Sequence, residues 1–148
     1  MRVEIYFFLL ALATGSALLF GNKGERFIAA TVLAGNLMTL VIERVFGEGF
    51  AAFHSGYLLL DAGLAVLLCL IAVKYPSWLA ILVAAFQING TLAHLVKLLA
   101  FEVIPFSYAF LLKVWAWPMV LAMLAARTAK SMSAPLLARN WPPFARRT

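Results

Sequence analysis

The chain has 148 residues, of which 65% are hydrophobic and 12% charged, and its formal net charge is +6 at pH 7. A soluble domain carries about 25% charged residues, so this composition excludes an ordinary soluble globule and places the chain in a bilayer. Apolar runs recur at the roughly 17 to 25 residues that a spanning helix needs, without the period-two alternation of a barrel strand, so the expected fold is all-α, a polytopic membrane helical bundle.

Five transmembrane helices are expected, at about 3–20, 27–46, 50–73, 78–101 and 106–126, forming a bundle over 1–126 with a basic tail over 127–148. The first run has leader-like features, with Arg2 in front and the small residues Thr14, Gly15, Ser16 and Ala17 near its end. Against cleavage, Glu4 offsets Arg2, the run continues through Leu18, Leu19 and Phe20, and there is no convincing A-x-A site, so it is read as a span.

After the connection GNKGER, the second run carries Asn36, Thr39 and Glu43, which share one face at about 100° per residue. The break Gly47-Glu48-Gly49 leads into the third, which holds Asp61 and Cys69. Beyond KYPS, the fourth places Gln87, Gly90, Thr91, His94 and Lys97 on one arc, with Asn89 pointing elsewhere. EVIP leads into the fifth, with Lys113 near its start and a Trp117-Pro118 step that predicts a kink. All these connections are short, so consecutive helices are expected to be antiparallel neighbours.

Basic residues set the expected orientation. With the N-terminus outside and the C-terminus inside, the inner side holds Lys23, Arg26, Lys74, Arg127, Lys130, Arg139, Arg146 and Arg147, and the outer side only Arg2 and Arg44. The acids Glu4, Glu43, Glu48 and Glu102 fall on the outer side. An N-out, C-in bundle follows, and the positive charge is explained by topology without nucleic acid, because it sits at helix ends rather than among stacking aromatics.

In that orientation Asp61, His94 and Lys97 reach similar depths in the outer half, Lys113 lies about two turns below the outer boundary, and Asn36 and Gln87 lie near the midplane. A charge facing hydrocarbon costs at least about 2.5 to 3.5 kcal/mol, so these side chains are expected to turn inward and find partners. Asp61 with Lys97 is the expected pair, and His94 is expected to donate to the same carboxylate, to Thr39 or to Asn36. Asp61, His94, Lys97, Gln87, Asn36, Glu43 and Lys113 are therefore candidates for a ligand or ion site. The competing reading makes them interhelical glue, worth about 0.6 to 2 kcal/mol per bond, with Lys97 and Lys113 snorkelling to the interface.

Other chemistry finds little support. A single cysteine excludes an internal disulfide, a CxxC redox pair and a cysteine zinc site. His54 and His94, the two histidines, fall at different depths and suit haem ligation poorly. No nucleophile elbow, HExxH or P-loop occurs, so neither enzyme activity nor a cofactor is expected. The tail combines Arg139, Arg146 and Arg147 with Trp141 and Phe144, a pattern that suits anionic headgroups and the membrane interface.

Several short patterns run from Asp61 to Ala126: the Lys74, Tyr75, Trp78 turn, AAFQ at Ala84 to Gln87, AHL at Ala93 to Leu95, IPFSYA at Ile104 to Ala109, and W-x-W-P ending at Pro118. Through them the chain resembles an uncharacterised family of small bacterial polytopic inner-membrane proteins. The resemblance implies a multi-pass location in the bacterial inner membrane and no particular activity. The expected function is that of a non-enzymatic accessory or scaffold subunit, in contact with membrane lipids and with further copies or a larger membrane complex. The alternative is a small transporter or ion- or ligand-binding protein that uses the outer polar cluster.

Overall fold

The computed structural model describes residues 3–46, 55–99, 110 and 114–128. The fold is an all-α bundle of five helices: α1 (Val3–Phe20), α2 (Lys23–Phe46), α3 (Ser55–Lys74), α4 (Trp78–Leu99) and a shorter α5 (Val114–Thr128). Residues 50–54, 100, 101, 106–109 and 111–113 of the expected third, fourth and fifth segments lie outside the described residues.

Local chemistry explains where the helices start and stop. α1 closes with the Gly21 N–H donating to the Ala17 carbonyl at 2.8 Å, an approach so close that a Cβ on Gly21 would collide with that oxygen. α2 then begins at Lys23 rather than at Phe27, where the apolar run starts. The cause is a reciprocal cap: the Glu25 N–H donates to Asn22 Oδ1 at 2.9 Å, and the Asn22 N–H donates to Glu25 Oε2 at 3.1 Å. α3 ends with the Tyr75 N–H donating to the Ile71 carbonyl at 2.8 Å, and Pro76 follows. α4 restarts at once because Ser77 Oγ accepts from the Ala80 N–H at 3.1 Å, as an N-cap serine does.

α1 packs on α2, α2 on α3 and α3 on α4, with a smaller contact between α2 and α4. α5 joins the same core through Met119, Val120, Ala122, Met123 and Ala126, which cluster with Leu10, Ile28, Leu68 and Val83. Many buried positions are small, among them Ala13, Ala17, Ala29, Ala80 and Ala84, and small side chains let helix backbones approach where no hydrophobic drive separates protein from lipid. α2 and α3 approach closely at Gly35, where a Cβ would lie 2.5 Å from Leu64 Cδ1.

The outer surface is apolar. Leu59 is 76% exposed and Val73 82%, which suits a hydrocarbon environment. Three helices are long and apolar enough to cross a membrane: Lys23–Val45, Gly56–Lys74 and Trp78–Lys97. The other two, Glu4–Phe20 and Val114–Thr128, are shorter apolar helices among the described residues. At about 1.5 Å per residue, α1 rises about 27 Å, slightly less than a hydrocarbon core of about 30 Å.

Chain direction brings the end of α1, the starts of α2 and α4, and the ends of α3 and α5 to one end of the bundle. Arg127 Nη1 reaches the Phe20 carbonyl at 3.1 Å there, and the Phe27 and Tyr75 rings stack at 5.6 Å. Lys23, Arg26, Lys74 and Arg127 are thus all at this end, while Glu4, Glu43 and Lys97 lie towards the opposite one.

Candidate functional site

Asp61 stands in the second turn of α3, and His94 lies in the second half of the antiparallel α4, so the two meet across the α3–α4 contact. His94 Nε2 is 3.0 Å from Asp61 Oδ2. The imidazole side chain is 3% exposed and the carboxylate 22%, so the basic partner is enclosed while the acid keeps an open edge. Tyr57, one helical turn before Asp61, lays its ring against the imidazole at 6.4 Å and 15°. Carboxylate and phenol ring therefore hold His94 from two directions, and both come from α3. Gln87 adds a weaker tie, its Nε2 lying 3.5 Å from the Asp61 backbone carbonyl, at the limit of a hydrogen bond.

Lys97, one turn further along α4, is buried at 9% exposure and is engaged in contacts. Of the two bases expected near the Asp61 carboxylate, His94 stands 3.0 Å from its Oδ2, as the reading that it donates to that carboxylate requires. Glu43 is half-buried towards the same end, within electrostatic reach of Tyr57.

Asn36 is drawn away from this group. Its Oδ1 accepts from the Tyr6 hydroxyl at 3.0 Å and its Nδ2 donates to the Val32 carbonyl at 2.9 Å. Tyr6 in turn meets the Trp117 ring edge-on at 5.6 Å, which joins α1, α2 and α5. Thr39 and Thr91 each donate to a carbonyl one turn earlier, those of Gly35 and Gln87, both at 3.0 Å. The polar residues thus form two separate ties, Tyr6–Asn36 between α1 and α2 and Asp61–His94 between α3 and α4. Lys113, and Arg139, Trp141, Phe144, Arg146 and Arg147 of the tail, lie outside the described residues.

A third tie joins α2 to α5 at the opposite end of the bundle. Glu25, 6% exposed, has its Oε2 3.8 Å from Arg127 Nη1, and Arg127 also caps the end of α1 at Phe20. Arg26 donates to the Leu19 carbonyl at 3.4 Å. The N-x-x-E spacing of Asn22 and Glu25 was a usable signal for the cap, but nothing local in sequence points from Glu25 to Arg127.

Comparison of the chain with protein-family models, curated proteins and solved structures finds no match. The chemistry of the site therefore rests on its own residues. Among the described residues no three His, Cys, Asp or Glu side chains gather in a way that would hold a metal ion. What the arrangement does offer is a carboxylate–imidazole pair whose acid edge is open, and a set of polar ties each joining two helices.

Proposed function

We propose that the protein is a multi-pass bacterial inner-membrane protein that serves as a non-enzymatic accessory or scaffold subunit of a membrane assembly. The observation that carries this reading is the use of the polar side chains. Tyr6–Asn36, Asp61–His94 and Glu25–Arg127 each fasten one helix to another, and no buried side-chain polar atom among the described residues lacks a partner. Such bonds fix a bundle's shape, and a fixed bundle with an apolar exterior presents constant faces to neighbours in the bilayer. The motifs from Asp61 to Ala126 and the basic end of the bundle support the inner-membrane assignment and an N-out, C-in orientation.

Purification of the tagged protein from native membranes at low detergent tests this. The reading requires a partner recovered at fixed stoichiometry and lost when the bundle is loosened by Asp61→Leu. A protein recovered alone, with its stability unaffected by loss of any neighbour, would contradict it.

One observation favours a second reading, a small transporter or ion- or ligand-binding protein. Asp61 keeps 22% of its side chain open while its partner is enclosed, which is the geometry of a site approached from the carboxylate side. Intramembrane ionisable residues commonly mark ion or proton pathways. Ligand-dependent protection of the protein, abolished by Asp61→Asn, would favour this reading over the scaffold.

A further inference from the structure

We propose that the basic end of the bundle, where the first turn of α2 meets the α3–α4 turn, is a binding site for the phosphate headgroup of an anionic phospholipid. This site is separate from the Asp61–His94 pair and from the tail. Tyr75 organises it. Its Cβ would lie 2.8 Å from a Cβ on Gly24, so the glycine lets the tyrosine sit directly on the first turn of α2. Phe27 stacks on the same ring at 5.6 Å and 20°, and Lys74 Nζ stands 5.8 Å from its centroid. Lys74 thus stands beside this ring, and Lys23 and Arg26 belong to the same first turn of α2 as Gly24, Arg26 reaching the Leu19 carbonyl at 3.4 Å; all three basic residues are exposed.

The charge is one-sided because the nearby acid is turned away. Glu25 is 6% exposed and already committed to the Asn22 N–H and to Arg127. The α2 N-terminus is closed by the same cap, so the attraction comes from side chains and not from free backbone donors.

A lipid fits better than a soluble anion because the apolar surface continues beside the cations. Phe27 is 51% exposed and Trp78 56%, as suits aromatics at headgroup level, and Val73 at 82% and Ile81 at 62% continue the face along α3 and α4 where an acyl chain would lie. Clusters of Lys and Arg at the ends of membrane helices attract anionic headgroups, and basic pockets between such helices hold lipids with more than one phosphate.

The test uses the full-length protein in neutral detergent, with native mass spectrometry against added phosphatidylglycerol, cardiolipin and zwitterionic phosphatidylethanolamine. Retention of the two anionic lipids over the zwitterionic one is expected. Each basic residue at a membrane surface contributes about 1 kcal/mol, about fivefold in affinity, so the triple variant Lys23→Gln/Arg26→Gln/Lys74→Gln should bind about a hundredfold more weakly. Because these three side chains are exposed, the variant should keep the thermal midpoint of the parent. The comparison is repeated in the tail variant Lys130→Gln/Arg139→Gln/Arg146→Gln/Arg147→Gln, which removes the headgroup contacts expected of the tail, and the triple change should cost about a hundredfold there too. Trp78→Ala should weaken binding without removing charge, which separates a lipid from a free anion. Undiminished lipid binding by the triple variant would overturn the proposal. So would equal retention of the zwitterionic lipid, or displacement of lipid by inorganic phosphate or polyglutamate.

Discussion

Replacing His94 by Phe removes the nitrogen that faces Asp61 while leaving a ring to lie against Tyr57, so it isolates the polar part of the α3–α4 tie. An interhelical bond in a membrane bundle is worth about 0.6 to 2 kcal/mol, whereas stranding one member of a fully dry ion pair costs about 3 to 5 kcal/mol. Asp61 is between these limits: its side chain is 22% exposed, so water relieves part of the cost once the imidazole is gone. The single change should therefore destabilise the bundle by about 2 to 3 kcal/mol. Asp61→Leu should cost about 1 to 2 kcal/mol, the cost of leaving a buried polar group without this partner. The double variant, apolar on both sides, should recover most of the loss. Reversible unfolding in mixed micelles, run as a double-mutant cycle, measures the coupling directly. Single losses that simply add in the double variant would refute the pair as a helix tie.

Three further outcomes follow from the packing. Tyr6→Phe removes the hydroxyl that donates to Asn36 but keeps the ring against Trp117, and should lower stability in the same assay by about 0.6 to 1.5 kcal/mol. Gly24→Ala forces a Cβ against the Cβ of Tyr75, which cannot swing aside as a side-chain tip would, and should cost about 1 to 3 kcal/mol with a change in near-ultraviolet circular dichroism from Tyr75. Glu25→Gln keeps the cap with Asn22 and should cost less than about 1 kcal/mol, while Glu25→Ala removes the cap bond and the partner of Arg127 and should cost about 2 kcal/mol by thermal unfolding.

Much of the fold can be read from hydropathy, because a helix in lipid must be apolar over its exposed surface. The run from Val3 to Phe20 and the restart at Trp78 after KYPS coincide with α1 and the start of α4. The start of α2 differs because the Asn22–Glu25 cap is made by polar residues that hydropathy counts as a loop. The site was legible as a class and not as a set of contacts. Helical periodicity places Asp61, His94 and Lys97 on inward faces at similar depth, but the 3.0 Å contact of His94 with Asp61 depends on how α3 and α4 are rotated against each other. Tyr6 donates to Asn36 across α1 and α2, a contact between distant positions that no local pattern encodes. Arg127 and Glu25 meet only because α5 returns to the end where α2 begins, a relation that no local pattern encodes.

The side of the membrane that the basic end of the bundle faces is the most direct measurement to make. Alkaline phosphatase fused after Ser55, after Ser77 and after Thr148 reports this, since the enzyme is active only outside the cytoplasm. A multi-pass bundle with Lys23, Arg26, Lys74 and Arg127 inside predicts activity at Ser55 and none at Ser77 or Thr148. Activity at Ser77 would contradict the orientation, and activity at Thr148 with silence at Ser77 would contradict the number of crossings.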